Sequence, residues 1–211
     1  MSDMLEVETE AREPGIIRGV SVGTVVQNRD PEGLGRVKVR FPWRENPDES
    51  QWARVAMPMA GKDRGTWFLP EVGDEVLVAC DGEQVTHPYV LGSLWNGKDT
   101  PPETNSDGRN DIRKIRSRSG HEIIFDDGAQ GNIDIHLKDN KRKVRMDPDG
   151  IVISDDSGNQ IEIKSLSGEL NIKSNTKISL QSNVIEIKAN ASMTLQASGT
   201  MTIKGALVLI N

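Results

Sequence analysis

An all-β chain in two unlike parts is what this sequence predicts: a small closed barrel followed by a narrow fibre completed by partner chains. Three observations carry the expectation. The first is a repeated apolar-polar-apolar phrase in the C-terminal part, running Ile151-Val-Ile153, Ile161-Glu-Ile163, Leu170-Asn-Ile172, Ile178-Ser-Leu180, Ile185-Glu-Ile187, Met193-Thr-Leu195 and Met201-Thr-Ile203. The first members sit 10, 9 and 8 and then 7, 8 and 8 residues apart. Each phrase puts two apolar side chains on one face of a short strand. Such a strand buries nothing alone, but stacked copies build a continuous core. The second observation is the placement of rings and prolines: no Phe, Trp or Tyr follows Phe125 and no Pro follows Pro148. A thin fibre has no room for rings, and a continuous ladder has no place for a residue without an N–H. The third is a set of short alternating segments in the first half, separated by turn residues.

Those segments are Gly19–Val26, Gly35–Phe41, Gln51–Ala56, Glu75–Cys80 and Tyr89–Leu94. Turns at Asp30-Pro-Glu-Gly33, Asn46-Pro-Asp48, Lys62-Asp-Arg-Gly65, Val72-Gly-Asp74 and Asp81-Gly82 divide them. With no helical period, five short strands predict a closed barrel, and the oligonucleotide/oligosaccharide-binding (OB) architecture is the common five-stranded solution. In the fibre, a Lys or Gln follows most phrases, and clusters such as Ser174-Asn175 and Ser182-Asn183 supply the turns.

Composition narrows the function classes. A net charge of −6 disfavours nucleic acid as the main partner. The single cysteine, Cys80, rules out an internal disulfide framework and reads as a core residue. Mean hydropathy is −0.50, yet the polar half is rich in Ile, Thr, Ser and Val with a regular period, which argues for β-structure rather than disorder. The acidic N-terminus (Glu6, Glu8, Glu10, Glu13) carries no apolar run, so the expectation is cytoplasmic synthesis without a signal peptide.

The residues of the first half resemble a known family. Gly35-Arg-Val-Lys-Val-Arg-Phe41-Pro-Trp43 is similar to the "GRVKVxFxW" strand of VgrG proteins and phage baseplate spike proteins. Trp52-Ala-Arg-Val55, Met57-Pro-Met-Ala-Gly-Lys62 and Gly65-Thr-Trp-Phe-Leu-Pro70 are similar to its next segment. Pro88-Tyr-Val-Leu-Gly92 with Asn96-Gly97 resembles the closing strand, and Gly120-His-Glu-Ile-Ile-Phe-Asp-Asp127 resembles the "GHExxFDD" start of the spike's β-helix. The resemblance implies an acidic arm over 1–15, an OB domain over 16–98, a linker over 99–119 and a spike domain over 120–211.

It further implies a structural central spike, the puncturing needle of a contractile injection machine such as a phage tail or tailocin. Three chains would intertwine into a triangular β-helix, one face per chain. Ile161, Ile163, Leu170, Ile172, Ile178, Leu180, Ile185, Ile187, Met193, Leu195, Met201 and Ile203 would form the trimer core. The partners implied are the chain itself as a homotrimer, a separate hub or baseplate protein at the OB end, a PAAR-repeat tip protein at the C-terminus and the target-cell membrane on firing, with no nucleic acid. Leu207, Val208, Leu209, Ile210 and Asn211 would form the landing platform for the tip. The setting implied is the baseplate of a virion or phage-tail-like particle. The short segment before the OB domain carries no hub region, and residues 98–119 leave no room for a lysozyme domain, so wall degradation is not expected of this chain.

No catalytic, cofactor or metal site is expected. His87, His121 and His136 are far apart in sequence, without Cys or carboxylate at ligand spacing. Asp126-Asp127 and Asp155-Asp156 read as turns, because adjacent strand residues face opposite ways. Gly33-Leu-Gly35 lacks the rest of a phosphate-binding fingerprint. The basic run from Arg109 to Arg118 has no interleaved aromatic and reads as a connecting strand with cations in solvent or facing acidic groups of a neighbour. Two other classes stand beside the spike. An OB binding module for nucleic acid or glycan would show a basic face and stacking aromatics, whereas Trp43, Trp52, Trp67 and Trp95 fall within the packing motifs. A polysaccharide-degrading tailspike would need converging carboxylates in a groove.

Overall fold

The computed structural model describes residues 19–44, 49–81 and 87–210. The acidic arm over 1–15, the turn at Asn46-Pro47-Asp48, Gly82 and Asn211 lie outside the described residues. The chain divides into two units, Met1–Thr104 and Asn105–Asn211, and every described element is a β-strand.

The first unit holds β1 (Val20–Gln27), β2 (Lys38–Arg40), β3 (Arg54–Val55), β4 (Ala60–Gly61), β5 (Arg64–Gly65), β6 (Glu75–Cys80) and β7 (Pro88–Ser93). Five of these form one sheet in the order β2-β1-β6-β7-β3, with β3 and β7 parallel and the other pairs antiparallel. The sheet closes on itself where Val37 and Ala53 exchange backbone hydrogen bonds of 3.0 and 2.7 Å. Closure removes the free edges, and the result is the OB barrel expected. Irregular register at Val25/Gln27 and opposite Leu77/Val78 marks bulges that let short strands bend around so narrow a core.

The core follows from the alternation. Val25, Val37, Val39, Phe41, Ala53, Val76, Val78 and Val90 are all 2% exposed or less. Their β-branched shape suits a tightly curved sheet. Trp43 tilts against Phe41, ring centres 5.5 Å apart, and its indole N–H donates to Ser21 Oγ at 2.8 Å. Buried Ser50 completes the ladder beside β2: Val39 N–H donates to its hydroxyl at 3.0 Å, and Ser50 N–H donates to Val39 O at 2.8 Å. Cys80 ends β6 half-buried at the margin of this core, where burial pushes its thiol up.

The β1–β2 turn is held by one carboxylate. Asp30 accepts both the Nε–H and an Nη2–H of Arg36 at 2.8 Å, together with the backbone N–H groups of Glu32, Leu34 and Arg36. Five donors on one carboxylate, the Arg36 guanidinium first among them, hold Asp30 well below the usual carboxylate range and push Arg36 up. Gly33-Leu-Gly35 therefore belongs to a tight turn, with Gly33 and Gly35 at φ 68° and 69°.

The second unit is a single antiparallel meander of seven strands: β8 (Ile112–Arg116), β9 (Glu122–Asp126), β10 (Asn132–His136), β11 (Lys143–Asp147), β12 (Gly150–Ser154), β13 (Gln160–Lys164) and β14 (Glu169–Lys173). β8 falls inside the stretch read as a linker and pairs along its whole length with β9. The expected strands at Ile151–Ile153, Ile161–Ile163 and Leu170–Ile172 are present as β12, β13 and β14. Those at Ile178–Leu180, Ile185–Ile187, Met193–Leu195 and Met201–Ile203 are not formed by the single chain. A strand exists only against a neighbour, and no neighbouring strand is supplied there.

Candidate functional site: a bare apolar sheet face

Register places the apolar phrases in two unbroken rows. One runs Phe125, Ile133, Met146, Ile151, Ile163, Leu170 from β9 to β14. The other runs Ile115, Ile123, Ile135, Val144, Ile153, Ile161, Ile172 across all seven strands. Members of the two rows are two residues apart on each strand, so both lie on one face. That face is two side chains wide and is left open by the described residues: Phe125 is 42% exposed, Ile161 41% and Leu170 62%, while Ile133, Val144, Met146 and Ile151 are half-buried among their row neighbours. In water a strip of this extent is uncommon for a protein that works alone. The repeat thus begins earlier than the sequence phrases indicated. Alternation at Ile123-Ile-Phe125, Ile133-Asp-Ile135 and Val144-Arg-Met146 was the available signal, but Ile124 between two apolar residues obscured the period in the first of them.

The opposite face is mostly polar, with Ile124 and Val152 set among charges that are largely paired. Arg145 reaches Asp134 and Asp147, each at 3.0 Å, and Asp147 in turn is held low by the Arg145 guanidinium. Glu122 lies 3.3 Å from Arg116 and 3.6 Å from both Lys114 and His136. Lys164 sits 3.2 Å from Glu169. The basic run is absorbed in the same way: Arg109 pairs with Asp107 at 2.8 Å and Arg113 with Asp127 at 2.6 Å. The cations of that run thus meet acidic groups of their own chain, while the Arg109 and Arg113 side chains stay more than half exposed to solvent.

The carboxylate pairs are turn fasteners. Asp126 accepts from Gly128 N–H at 2.9 Å and from the Asn132 amide at 3.2 Å. Asp155 accepts from Ser157 N–H, Asn159 N–H and the Asn159 amide, which draw its pKa down. Asp156 turns instead to Lys141 and Arg142, each at 3.4 Å. His136 lies against Glu122 and its Nδ1–H donates to Leu137 O at 2.9 Å, whereas His121 Nδ1 accepts from Lys138 N–H at 3.4 Å. Among the described residues no group of three metal-ligating side chains converges.

Beyond β14 the remaining residues expected to form a trimer core lie outside any strand of the single chain. Ile178, Leu180, Ile185, Ile187, Met193, Leu195, Met201 and Ile203 are all exposed, and so are Leu207, Val208, Leu209 and Ile210. No described helix is long and apolar enough to cross a membrane.

The barrel carries a second uncovered surface that its motifs did not foretell. Trp67 and Trp95 are each 69% exposed in the single chain, although both fall within the motifs read as packing motifs. Topology puts them at one end of the barrel, where β1 ends, β6 begins and β7 ends, with exposed Leu34, Met59, Phe68 and Val72 on the loops of the same end. Gly35 supplies the left-handed backbone there, at φ 69°, with the Trp67 ring 2.9 Å from where a Cβ would stand. Trp52 lies under the cations of Arg36 and Lys38, 5.8 and 5.4 Å from the ring centre.

Comparison with known proteins agrees with this architecture. Residues 21–95 match the family model of the type VI secretion system/phage-baseplate injector OB domain. The spike protein VgrG1b of Pseudomonas aeruginosa is 32% identical over 143 residues, covering 60% of this chain and 19% of the relative. VgrG3 of Vibrio cholerae is 30% identical over 125 residues, 54% of this chain and 12% of the relative. The actin cross-linking toxin VgrG1 of Vibrio cholerae is 30% identical over 154 residues, 66% of this chain and 13% of that protein. The matched part thus spans less than a fifth of each of these relatives.

Proposed function

Since the chain belongs to the family of VgrG and phage-baseplate spike proteins, we propose that it is the central spike of a contractile injection machine, assembled as a homotrimer. The observation that carries the proposal is the bare apolar face, continuous across every strand of the second unit.

Geometry favours three copies. A five-residue strand such as β13 spans about 16 Å at ~3.3 Å per residue. Three strips of that width, closed into a triangular prism, place each sheet about 5 Å from the axis, half of the ~10 Å at which sheets pack face to face. Two inward side chains per strand then fill the axis without a void. Four strips would move each sheet to about 8 Å from the axis and leave a hole, against the close packing of protein interiors. Two strips would leave both long sides open to water.

In the trimer the polar face turns outward, and its cross-strand ion pairs coat the needle. The ladder runs along the axis, so axial load is borne by many backbone hydrogen bonds together. The spike contributes shape and stiffness, while the work comes from the machine that drives it. It performs no chemistry of its own, in keeping with carboxylates committed to turns and ion pairs. The aromatic end of the barrel supports a protein contact there, with a hub or baseplate protein. Leu207 to Ile210 support a landing platform for a PAAR-type tip, which would cover them.

Light scattering on the purified chain, followed by a denaturing gel without boiling, tests the proposal. A mass of three times 23.2 kDa and a detergent-resistant trimer are expected. A monodisperse monomer would overturn it and make an OB binding module the leading reading.

A further inference from the structure

We infer that the basic long edge of the meander in one copy packs against the acidic long edge of the next, and that this contact sets the register of the three chains. The contact presupposes the homotrimeric needle proposed above and adds what its corners recognise.

A meander sends its turns alternately to two edges. The β8–β9, β10–β11 and β12–β13 connections lie on one edge, and the β9–β10, β11–β12 and β13–β14 connections on the other. Charge follows that division. Along the first edge, residues 116–122, 136–143, 154–160 and Lys173 hold seven Lys and Arg against four Asp and Glu. Along the second, residues 109–113, 126–132, 147–150 and 164–169 hold six Asp and Glu against three Lys and Arg. The contrast is sharpest in the middle of the strip. The β10–β11 loop carries Lys138, Lys141, Arg142 and Lys143 against Asp139 alone. The β9–β10 and β11–β12 turns each carry two aspartates and no cation.

Pairing within the chain does not use this charge up. Among the described residues, Lys138, Lys143 and Asp149 have no ion-pair partner. The Asp155-Asp156 turn is the exception on the basic edge, and its carboxylates are already engaged. Asp155 fastens its own turn, and Asp156 meets Lys141 and Arg142, each at 3.4 Å.

Closing three strips about a threefold axis brings unlike edges together. Rotation carries the first edge of one copy onto the second edge of the next at the same level, never like onto like. Turns on the two edges are offset by one strand, so they interleave. The basic β10–β11 loop then falls between the β9–β10 and β11–β12 turns of the next copy, the two that carry only aspartate charge.

The apolar axis cannot fix this register by itself. Its rows repeat on every strand, so a copy displaced by two strands, about 10 Å, buries the same kind of side chain. The corners discriminate. Displacement one way sets the basic loop beside residues 109–113, where Arg109 and Arg113 outnumber Asp111. Displacement the other way sets it beside residues 164–169, where Lys164 cancels Glu169. Either slip forfeits one of the two aspartate turns. Flanking charges choose partner and register in coiled coils by the same means.

The test uses the full-length protein at its trimeric mass and a carbodiimide, which joins an amine to a carboxylate only in direct contact. Peptide mass spectrometry should find Lys138 or Lys141 linked to Asp127 or Asp149. Within one chain these groups lie at opposite edges, farther apart than the ~16 Å of a five-residue strand, so the link reports two copies. Links confined to pairs within the chain, such as Lys141 to Asp156 and Lys164 to Glu169, would overturn the inference while leaving the trimer standing. Charge reversal is the second arm. At low salt, Lys138→Glu with Lys143→Glu should slow trimer formation on dilution from denaturant by about tenfold or more. Adding Asp127→Lys and Asp149→Lys, which swaps both edges, should restore the rate. Equal rates for all three proteins would count against the corner contact as firmly as absent links. A monomeric wild-type mass would remove the proposed function itself, so the two failures are distinguishable.

Discussion

The barrel and the meander are written in the same alternating pattern, but they resolve it in opposite ways. In the barrel, Val37, Val39, Val76, Val78 and Val90 are fully buried by their own chain. In the meander, Ile135, Ile153 and Ile161 occupy equivalent inward positions and remain more than 40% exposed. The difference is closure. Bulges and the Val37–Ala53 bridge roll five strands into a cylinder whose faces cover one another. The meander is a strip two side chains wide that a single chain cannot roll up. Alternation therefore says which face is apolar, and topology decides whether the chain itself covers it.

The largest effect separating the two regions should come from a charge on the bare face. Ile161→Asp places three carboxylates at one level of the proposed axis, where burial without partners is prohibitive. Light scattering should report the monomeric 23.2 kDa while the barrel keeps its fold by circular dichroism. A trimer surviving this change would mean the face is not the interface.

Phe41→Ala strikes the other region. Emptying the largest fully buried side chain of the barrel should destabilise that unit by about 3–5 kcal/mol in denaturant titration. Trimeric mass should persist, because none of the apolar rows is touched. Loss of the trimer would show that the fibre depends on the barrel.

Gly168→Ala tests the reversals more gently. A Cβ there meets nothing within 4 Å, so only the left-handed backbone at φ 69° is penalised, by about 1 kcal/mol. Amide exchange should quicken in β13 and β14 before it does in β8 to β10.

Smaller still is the pH response of the barrel. Asp30 is depressed by Arg36 and three backbone N–H groups, so its contribution is complete above the unfolded carboxylate value of about 4 and is lost as pH falls toward the lower folded value. Thermal unfolding between pH 5 and about 2 should therefore show a wild-type decline that Asp30→Asn flattens, after that variant's lower starting stability. Arg145→Ala sits at the bottom of the scale, about 0–1 kcal/mol, because its ion pairs are partly solvated.

Much of this was legible in the primary structure. The five barrel strands fall within one to three residues of their turn-bounded segments, because Gly and Asp-Gly punctuate them. Ile161-Glu-Ile163 and Leu170-Asn-Ile172 announce an inward face by spacing alone. What escaped had physical causes. The earlier rows from Phe125 to Met146 are masked by apolar Ile124 and by uneven reversals. The exposure of Trp67 and Trp95 escaped because a motif states residue type, not whether a loop folds over the core or away from it.

By itself the sequence determined that the chain is all-β, that every Phe, Trp and Tyr ring but Phe125 lies in the first unit and that the C-terminal part keeps one apolar face, since side-chain period and steric room are local properties. Only the tertiary structure decided which strands are neighbours, that one carboxylate locks the β1–β2 turn and that pairing within the chain ends at Lys173. Those outcomes depend on register and on the sign of φ at single residues, which set contacts between positions far apart in sequence.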